Sequence, residues 1–246
     1  MASLSTDYVR WERRLTREIP FFTRIFSRNG ATKILDAACG TGRHAARLAQ
    51  EGYRVTGVDI NTESLESARS HAEEQGAEVE FVEGSYLDLS RAAPGPFDAL
   101  YSVGNALCFC SSADEVAQAL RECRSVLRPG GVAIAQILNY VGIAERGERL
   151  DFVRPVVRDG VEQLVVKFFR FGEPFWDVEF VTLSQQEGTW EAELGGGTLL
   201  ALEADTYRAL WLDAGFESVE LFGDYAGTPF DVHQARDAIA VAVTPA

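Results

Sequence analysis

A short apolar segment that leads into a glycine-rich turn and then into a helical pattern limits this chain to few folds. Lys33–Ala37 is typical of a buried strand, Gly40 and Gly42 follow it, and Arg43–Gln50 has the apolar spacing of a helix. Glycines let the backbone turn tightly and approach a ligand, and the helix that follows offers unpaired N–H donors. The next predicted strand, Tyr53–Ile60, carries an acidic residue near its end. The segment therefore predicts a ligand site at a strand-to-helix turn.

Predicted strands and helices alternate through the first half of the chain. The further segments are a helix at Thr62–Gln75, strands at Glu78–Val82 and Phe97–Val103, a helix from Ser112 through Val126, and a strand at Val132–Leu138. Such alternation predicts a parallel sheet with helices on both faces. Ligands of these sheets bind beyond the carboxyl ends of the strands, where the strand order reverses.

The second half of the chain has a different pattern. Polar and apolar residues alternate with period two in much of 140–202, which predicts antiparallel strands, and Gly195–Gly197 is interpreted as their flexible exit. A helix at Asp205–Ala214 precedes two strands, Ser218–Phe222 and Ala238–Val243, whose short connection makes them antiparallel. We predict an α/β fold: a Rossmann-like, seven-stranded, mostly parallel sheet with a C-terminal antiparallel hairpin and a small antiparallel β insertion.

Size and charge restrict the class of protein further. The 246 residues, 46% of them hydrophobic, suffice for one sizeable core. Residues 1–246 are therefore predicted to form a single domain, in which 1–30 is an N-terminal helical lid and 140–202 covers the active site. The net charge of −14 makes nucleic acids and anionic membranes poor partners. Without a long apolar stretch, and with four cysteines that lack zinc-ligand spacing, the sequence predicts a cytoplasmic protein without a metal site.

The glycine turn fits two cofactors. Gly40-x-Gly42-x-x-Ala45, with Asp59 further on, matches the fingerprint of a dinucleotide-binding turn, so an NAD(P)-dependent oxidoreductase is one interpretation. Asp36 argues against it, because a carboxylate at this place repels a pyrophosphate but suits a ligand with an ammonium and a sulfonium group. The absence of a large second domain and the closing hairpin favour S-adenosylmethionine as well.

Several segments resemble class I S-adenosylmethionine-dependent methyltransferases. ILDAACGTGRHA is similar to their first motif, VDIN to the segment with their ribose-binding acid, and LRPGGVAI to their fifth strand. The segments WERRLTREIPFF, FDALYSVGNALCFC, QILNY and GDYAGTPFD resemble the glycine/sarcosine N-methyltransferase branch. The resemblance implies an enzyme that methylates nitrogen or oxygen of a small-molecule acceptor, its partner here; a homodimer is left open.

The resemblance also implies a set of cofactor-binding residues. Gly40 and Gly42 would pass close to the methionine part, Asp59 and Ile60 would flank ribose and adenine, and Arg28 would bind the cofactor carboxylate. The remaining expected cofactor contacts are Asp36, Ala38, Ser85, Tyr86 and Val103. Tyr8 and Trp11 have two interpretations, a lid over the cofactor or simple helix packing.

Three residues are predicted to act on the acceptor. Asn105 would point at it, His233 is the best candidate for a general base, and Tyr140 is expected at the rim of the site. Asp224 and Tyr225 are further polar groups expected at this rim. The glycine-methylating proteins carry an arginine just before the Asn-Tyr pair, where this chain has Leu138. Because that arginine would bind the acceptor carboxylate through two hydrogen bonds, we expect an acceptor other than free glycine. Trp176, Phe180 and Trp190 are interpreted as acceptor-pocket aromatics or as the core of the insertion.

Overall fold

The computed structural model describes residues 8–158, 160–186 and 188–246. Within these described residues, eighteen helices and strands make up the main sheet, its covering helices and the insertion, and a short 3₁₀ turn lies at Ala106–Phe109. In chain order they are α1 Trp11–Arg28, β1 Lys33–Ala37, α2 Arg43–Gln50, β2 Arg54–Asp59, α3 Thr62–Glu74, β3 Val79–Glu83, α4 Leu89–Ala92, β4 Phe97–Ser102, α5 Ala113–Ser125, β5 Leu127–Leu138, α6 Tyr140–Glu145, β6 Leu150–Arg158, β7 Val161–Arg170, β8 Phe175–Gln186, β9 Thr189–Leu200, α7 Ala204–Asp213, β10 Ser218–Phe222 and β11 Asp237–Val243.

Seven strands form the main sheet in the order β3-β2-β1-β4-β5-β11-β10. The five strands β1 to β5 pair in parallel, whereas β11 pairs antiparallel with both β5 and β10. This confirms the predicted sheet and its closing hairpin. The strand order reverses between β1 and β4, and the turn with Gly40 and Gly42 lies at that edge. Ligands of such sheets bind in the crevice beyond the carboxyl ends of the strands. The expected ligand site is therefore the carboxyl edge of this sheet, next to the glycine turn.

The two faces of the sheet pack against different helices because residues alternate along buried strands. On one face, Phe22 and Phe26 of α1 and Leu48 of α2 share a cluster with Ile34 of β1. On the other face, Leu35 belongs to a cluster with side chains of α5, α7 and the insertion. Helix α1 thus lies across the face of the sheet next to the glycine turn.

The insertion is an antiparallel sheet of four strands in the order β6-β7-β8-β9. Trp176 and Phe180 are 4% and 6% exposed and belong to the core, whereas Trp190 is 61% exposed. The prediction of a flexible exit at Gly195–Gly197 is wrong, because these glycines lie inside β9. A Cβ on Gly196 would clash with the carbonyl oxygen of Val178, so the close approach of β8 explains the glycine.

Candidate functional site

The glycine turn has a backbone that few side chains allow. Ala38, Gly40 and Gly42 have φ values of 80°, 52° and 68°. The N–H groups of Ala38 and Cys39 both donate to the carbonyl oxygen of Val58, which ties the turn to the end of β2. A Cβ on Gly42 would lie 2.8 Å from Ala68 and from Phe81, so this position combines a left-handed conformation with no room for a side chain.

Asp59 is held by the main chain on both of its oxygens. Oδ2 accepts the N–H of Gly40 at 2.7 Å, and Oδ1 accepts the N–H of Asn61 at 2.9 Å. Each carboxylate oxygen keeps a lone pair for a further donor, which suits two neighbouring hydroxyls such as those of a ribose. Ile60 beside it is 68% exposed, so its side chain offers an apolar surface at the same edge.

Ser85 and Tyr86 follow β3 and adjoin Asp59. The N–H of Gly84 donates to the carbonyl oxygen of Asp59 at 3.0 Å, and Ser85 Oγ accepts the N–H of Leu87 at 3.1 Å. The hydroxyl of Tyr86 lies 3.8 Å from Cys110 Sγ, at the end of the 3₁₀ turn. The structure therefore places Ser85 and Tyr86 in a loop that is hydrogen-bonded to Asp59 at one end and reaches Cys110 through the hydroxyl of Tyr86.

Asp36 lies beneath the glycine turn. Its carboxylate is 2% exposed and accepts the hydroxyl of Tyr101 at 2.6 Å. Burial raises the pKa of Asp36 to about 7, although the hydrogen bond from Tyr101 opposes the rise. The expected direct contact between Asp36 and a ligand does not fit this burial and stays a prediction.

The structure shows a buried ion network on α1 that was not predicted from the sequence. Arg14 Nε lies 2.8 Å from Glu18 Oε1, and His44 Nε2 of α2 lies 2.7 Å from Glu18 Oε2. Burial lowers the pKa of His44, so the ring is neutral and donates to the carboxylate. Burial alone would raise the pKa of Glu18, but the bond from His44 and the charge of Arg14 lower it overall. A Cβ on Gly104 would lie 3.5 Å from Arg14 Nη2, so this guanidinium lies at the end of β4.

Arg28 lies at the opposite edge of the sheet. It occupies the last turn of α1, and Asn29 directly after it accepts a hydrogen bond from Arg128 Nη2. Arg128 also pairs with Asp98, which accepts the N–H of Lys33 at the first residue of β1. Because α1 runs from the carboxyl edge to the amino edge, the place of Arg28 does not fit the expected contact with the cofactor, which stays a prediction. Arg14 of the same helix lies at the end of β4, beside Gly104, and its i,i+4 spacing to Glu18 was the available signal.

The loop after β4 carries Val103 and Asn105 to the carboxyl edge. Gln136 Oε1 of β5 accepts the N–H groups of Gly104 at 2.9 Å and of Asn105 at 3.3 Å. Asn105 has a φ of 62°, and its Oδ1 accepts the N–H of Leu138 at 2.7 Å. Its amide oxygen is thus used to join β4 to β5, and its Nδ2 group makes no hydrogen bond within the described residues.

Tyr140 and His233 are placed differently from the expectation. Tyr140 is 3% exposed and packs edge-on against Trp176, with 4.9 Å between ring centroids. Burial raises its pKa well above the usual value, so the prediction of a reactive group at the rim does not fit its place in the core. The side chain of His233 is 73% exposed, and its Nδ1 lies 3.0 Å from Glu145 Oε2 at the end of α6. This contact with Glu145 does not connect the imidazole of His233 to any other predicted site residue.

The aromatic residues near the N-terminus contact two different parts of the molecule. Tyr8 packs on Phe152 and Phe180 of the insertion, with centroids 5.6 and 4.9 Å away. Trp11 meets the ring of His44 edge-on at 5.9 Å and lies under the guanidinium of Arg14. A lid that includes these residues stays a prediction, and its residues 1–7 lie outside the described part of the chain.

Comparisons with known proteins agree on one class. A family model described as a methyltransferase domain matches residues 34–131. The glycine/sarcosine N-methyltransferase of Halorhodospira halochloris is 29% identical over 226 residues, which cover 90% of this chain and 79% of that protein. A methyltransferase of Clostridium acetobutylicum that depends on S-adenosylmethionine shares the fold with a TM-score of 0.77 at 14% identity, over 94% of this chain and 92% of that one. An amino pentose methyltransferase of Micromonospora echinaspora, solved with S-adenosylmethionine, gives a TM-score of 0.72 at 22% identity, over 96% and 92%.

Together with the sheet order and the turn, these matches identify the chain as a class I S-adenosylmethionine-dependent methyltransferase. Within that class it is similar to the glycine/sarcosine N-methyltransferases named above. The interpretation as an NAD(P)-dependent oxidoreductase is wrong: β11 enters antiparallel between β5 and β10, unlike the sixth strand of a dinucleotide-binding sheet. Thr41 Oγ1 and Trp11 Nε1 are buried without a hydrogen-bond partner among the described residues, which fits a polar ligand beside the turn.

Two structural features are absent from the described residues. Among residues 8–158, 160–186 and 188–246, no helix has the length and apolar character that crossing a membrane requires. In the same part of the chain, no three His, Cys, Asp or Glu side chains come together in a way that could hold a metal ion.

Proposed function

We propose that the enzyme methylates the nitrogen of a small-molecule amine other than free glycine. The observation that carries the proposal is the end of β5, where Leu138 stands in place of the arginine expected of glycine-methylating proteins. Leu138 is 6% exposed, and its N–H is bound by Asn105 Oδ1. An aliphatic side chain at this position supplies no hydrogen bond to an acceptor carboxylate, so glycine loses the contact that would orient it. The relatives that match over most of the chain are named as N-methyltransferases, which supports nitrogen as the methylated atom.

The proposed binding mode assigns one part of the cofactor to each part of the carboxyl edge. Asp59 would accept the ribose hydroxyls, and Ile60 and Tyr86 would contact the adenine. Arg14, held in place by Glu18, would bind the carboxylate of the methionine part. Ala38, Gly40 and Gly42 would let the main chain approach the ligand, and the carbonyl of Val103 would face its ammonium group.

The bound sulfonium supplies an electrophilic methyl group with a good leaving group, so the chain has to position and desolvate the reactants. Asn105 Nδ2 lies at the end of β4 and would orient the acceptor. The inner face of the insertion, with Phe152 and Phe180 under Tyr8, would exclude water from the reaction. A general-base role of His233 stays a prediction, and it requires the exposed ring to leave Glu145.

Calorimetry with S-adenosylhomocysteine and with NADH tests the cofactor site, and a panel of acceptors tests the reaction. We expect binding of S-adenosylhomocysteine only, and methyl transfer to at least one amine but not to glycine. The panel contains glycine, sarcosine, amino sugars, aliphatic amines and phenols, with the methylated atom identified by mass spectrometry. Efficient methylation of glycine, or transfer to phenols alone, would contradict the proposal.

A further inference from the structure

Beyond β5, the carboxyl edge of the sheet continues into β11 with a carboxylate. Asp237 is the first residue of β11 and is paired directly with Leu138 across the β5–β11 ladder. Because β11 is antiparallel to β5, its first residue lies at the same edge as the ends of β4 and β5. An acid therefore faces the position at which a carboxylate-binding arginine was expected.

Gln136 fixes this carboxylate relative to Asn105. The Oε1 atom of Gln136 accepts the N–H groups of Gly104 and Asn105. The Nε2 group of the same amide therefore points the other way, and it donates a hydrogen bond to Asp237 Oδ1 at 2.8 Å. Asp237 Oδ2 has no hydrogen-bond partner within the described residues. One side-chain amide thus joins the acid on β11 to the loop that carries Asn105, and leaves one carboxylate oxygen available.

A second polar group without a partner lies nearby. Tyr225 is 6% exposed and packs edge-on against Phe21 and Phe22 of α1, while its hydroxyl finds no hydrogen-bond partner in the part of the chain that the structure describes. Tyr225 and Asp237 both line a cleft of about 770 Å³ between α1 and the loop from β10 to β11. A cleft of this size holds a small molecule, and native proteins rarely leave such buried groups unpaired.

The charges around Asp237 come from three elements. Arg14, Arg17 and Glu18 face it from α1, Arg236 precedes it on the chain, and Tyr225 faces it from the loop. Arg14 is paired with Glu18, and Arg236 with Asp151. Burial raises the pKa of Asp237 to about 6, although Arg236, the bond from Gln136 and Arg17 oppose the rise. The carboxylate is therefore charged at pH 8 and more basic than an exposed aspartate.

We propose that Asp237 and Tyr225 form the subsite for the acceptor, that this subsite selects a protonated amine, and that Asp237 Oδ2 removes the proton before methyl transfer. The inference rests on the proposed N-methylation. The N–H bond of the ammonium breaks, its electron pair stays on nitrogen, and the proton goes to Asp237. The freed pair forms the new bond to the methyl carbon as the carbon–sulfur bond breaks, with its pair left on sulfur. Asp237 then loses the proton to water, and the product leaves as an N-methylammonium.

The test uses three isosteric probes on the full chain saturated with S-adenosylhomocysteine: cyclohexylamine, cyclohexanol and cyclohexanecarboxylate. At pH 8, calorimetry should show cyclohexylamine binding at least ten times more tightly than the other two. Asp237→Asn should reduce its affinity about tenfold and Tyr225→Phe about threefold, whereas Asp213→Asn, at the exposed end of α7, should have no effect. The affinity for cyclohexylamine should also fall as the pH drops through about 6, because Asp237 becomes protonated.

Binding of S-adenosylhomocysteine separates the possible failures. If the wild type does not bind it, the proposed function itself is overturned. If all variants bind it normally but cyclohexylamine has no advantage over cyclohexanol, or keeps that advantage in Asp237→Asn, then the amine subsite is wrong. Preference for cyclohexanecarboxylate overturns the subsite in favour of an anion site at Arg17. Because Tyr225→Phe retains the ring in the core, it keeps the test valid if Asp237→Asn fails to fold.

Discussion

The two halves of the carboxyl edge are built in different ways. At the ends of β1, β2 and β3, a short stretch of chain and its own backbone amides fix the geometry, with Asp59 bound to Gly40 and Asn61. At the ends of β4, β5 and β11, the geometry depends on side chains far apart in the sequence, such as Gln136 and Asp237. The first half suits a cofactor common to a whole class, and the second allows the acceptor to differ between relatives.

The largest effect should come from the first half. Asp59→Ala removes the carboxylate proposed to accept the ribose hydroxyls and also the acceptor for two backbone amides of the turn. We expect the affinity for S-adenosylhomocysteine to fall about 100-fold, because hydrogen bonds to a charged group contribute about 1.5–3 kcal/mol each. Calorimetry measures the change, with Glu63→Ala in the exposed first turn of α3 as the matched control. Wild-type affinity of Asp59→Ala would show that the ribose lies elsewhere.

The difference between the two halves also explains what could be predicted from the sequence. The glycine turn, Asp59 and the hairpin follow from local patterns, because glycines, strand periods and short connections determine the backbone nearby. Asp237 gave no local signal, since only the pairing of β11 with β5 brings it to the edge. Tyr225 was expected as a polar group at the rim, but nothing in the sequence indicated that its ring is buried against α1. Tyr140 shows the same limit: its position after β5 was predictable, but its burial against Trp176 depends on the insertion.

Helix α1 gives the second prediction, because two of its arginines, Arg14 and Arg28, lie near opposite edges of the sheet. Arg14→Met should reduce the affinity for S-adenosylhomocysteine about tenfold, since its guanidinium lies at the end of β4 beside the proposed carboxylate position. Arg28→Met, the matched control at the other end of α1, should leave the affinity unchanged. Equal losses in both variants would mean that α1 acts only through stability, which thermal unfolding of the two proteins would detect.

The second half of the edge is probed by restoring the expected charge. Leu138→Arg places a guanidinium beside Asp237, where the two side chains would form an ion pair and compete with a cationic acceptor. We expect kcat/KM for an amine acceptor to fall about fivefold, with no gain on glycine, because Asp237 neutralises the new charge. Leu212→Arg on the exposed side of α7 is the control. A large gain on the natural acceptor would show that the acceptor pocket is elsewhere.

The smallest expected effect is on the free energy of unfolding of the protein without ligand. It contrasts Asp36, near the carboxyl edge of the sheet, with Asp98, near the amino edge. The pKa of Asp36 is raised to about 7 by burial, so the folded state binds more protons than the unfolded state between about pH 4 and pH 7, and stability falls as the pH rises through that range. Asp36→Asn removes this penalty but weakens the hydrogen bond from Tyr101, so we expect a net gain of about 1 kcal/mol at pH 8 and none at pH 4.

Asp98 at the amino edge should respond with the opposite sign. Partial burial would raise its pKa, but bonds from the N–H groups of Lys33 and Thr32 and from Arg128 hold the pKa far below its usual range. Its contribution to stability is therefore present above about pH 4 and is lost as the pH falls below that. Urea unfolding at pH 4 and pH 8 should show that Asp98→Asn destabilises the protein at pH 8, where Asp36→Asn stabilises it. Changes of the same sign in both variants would contradict the protonation assigned to Asp36.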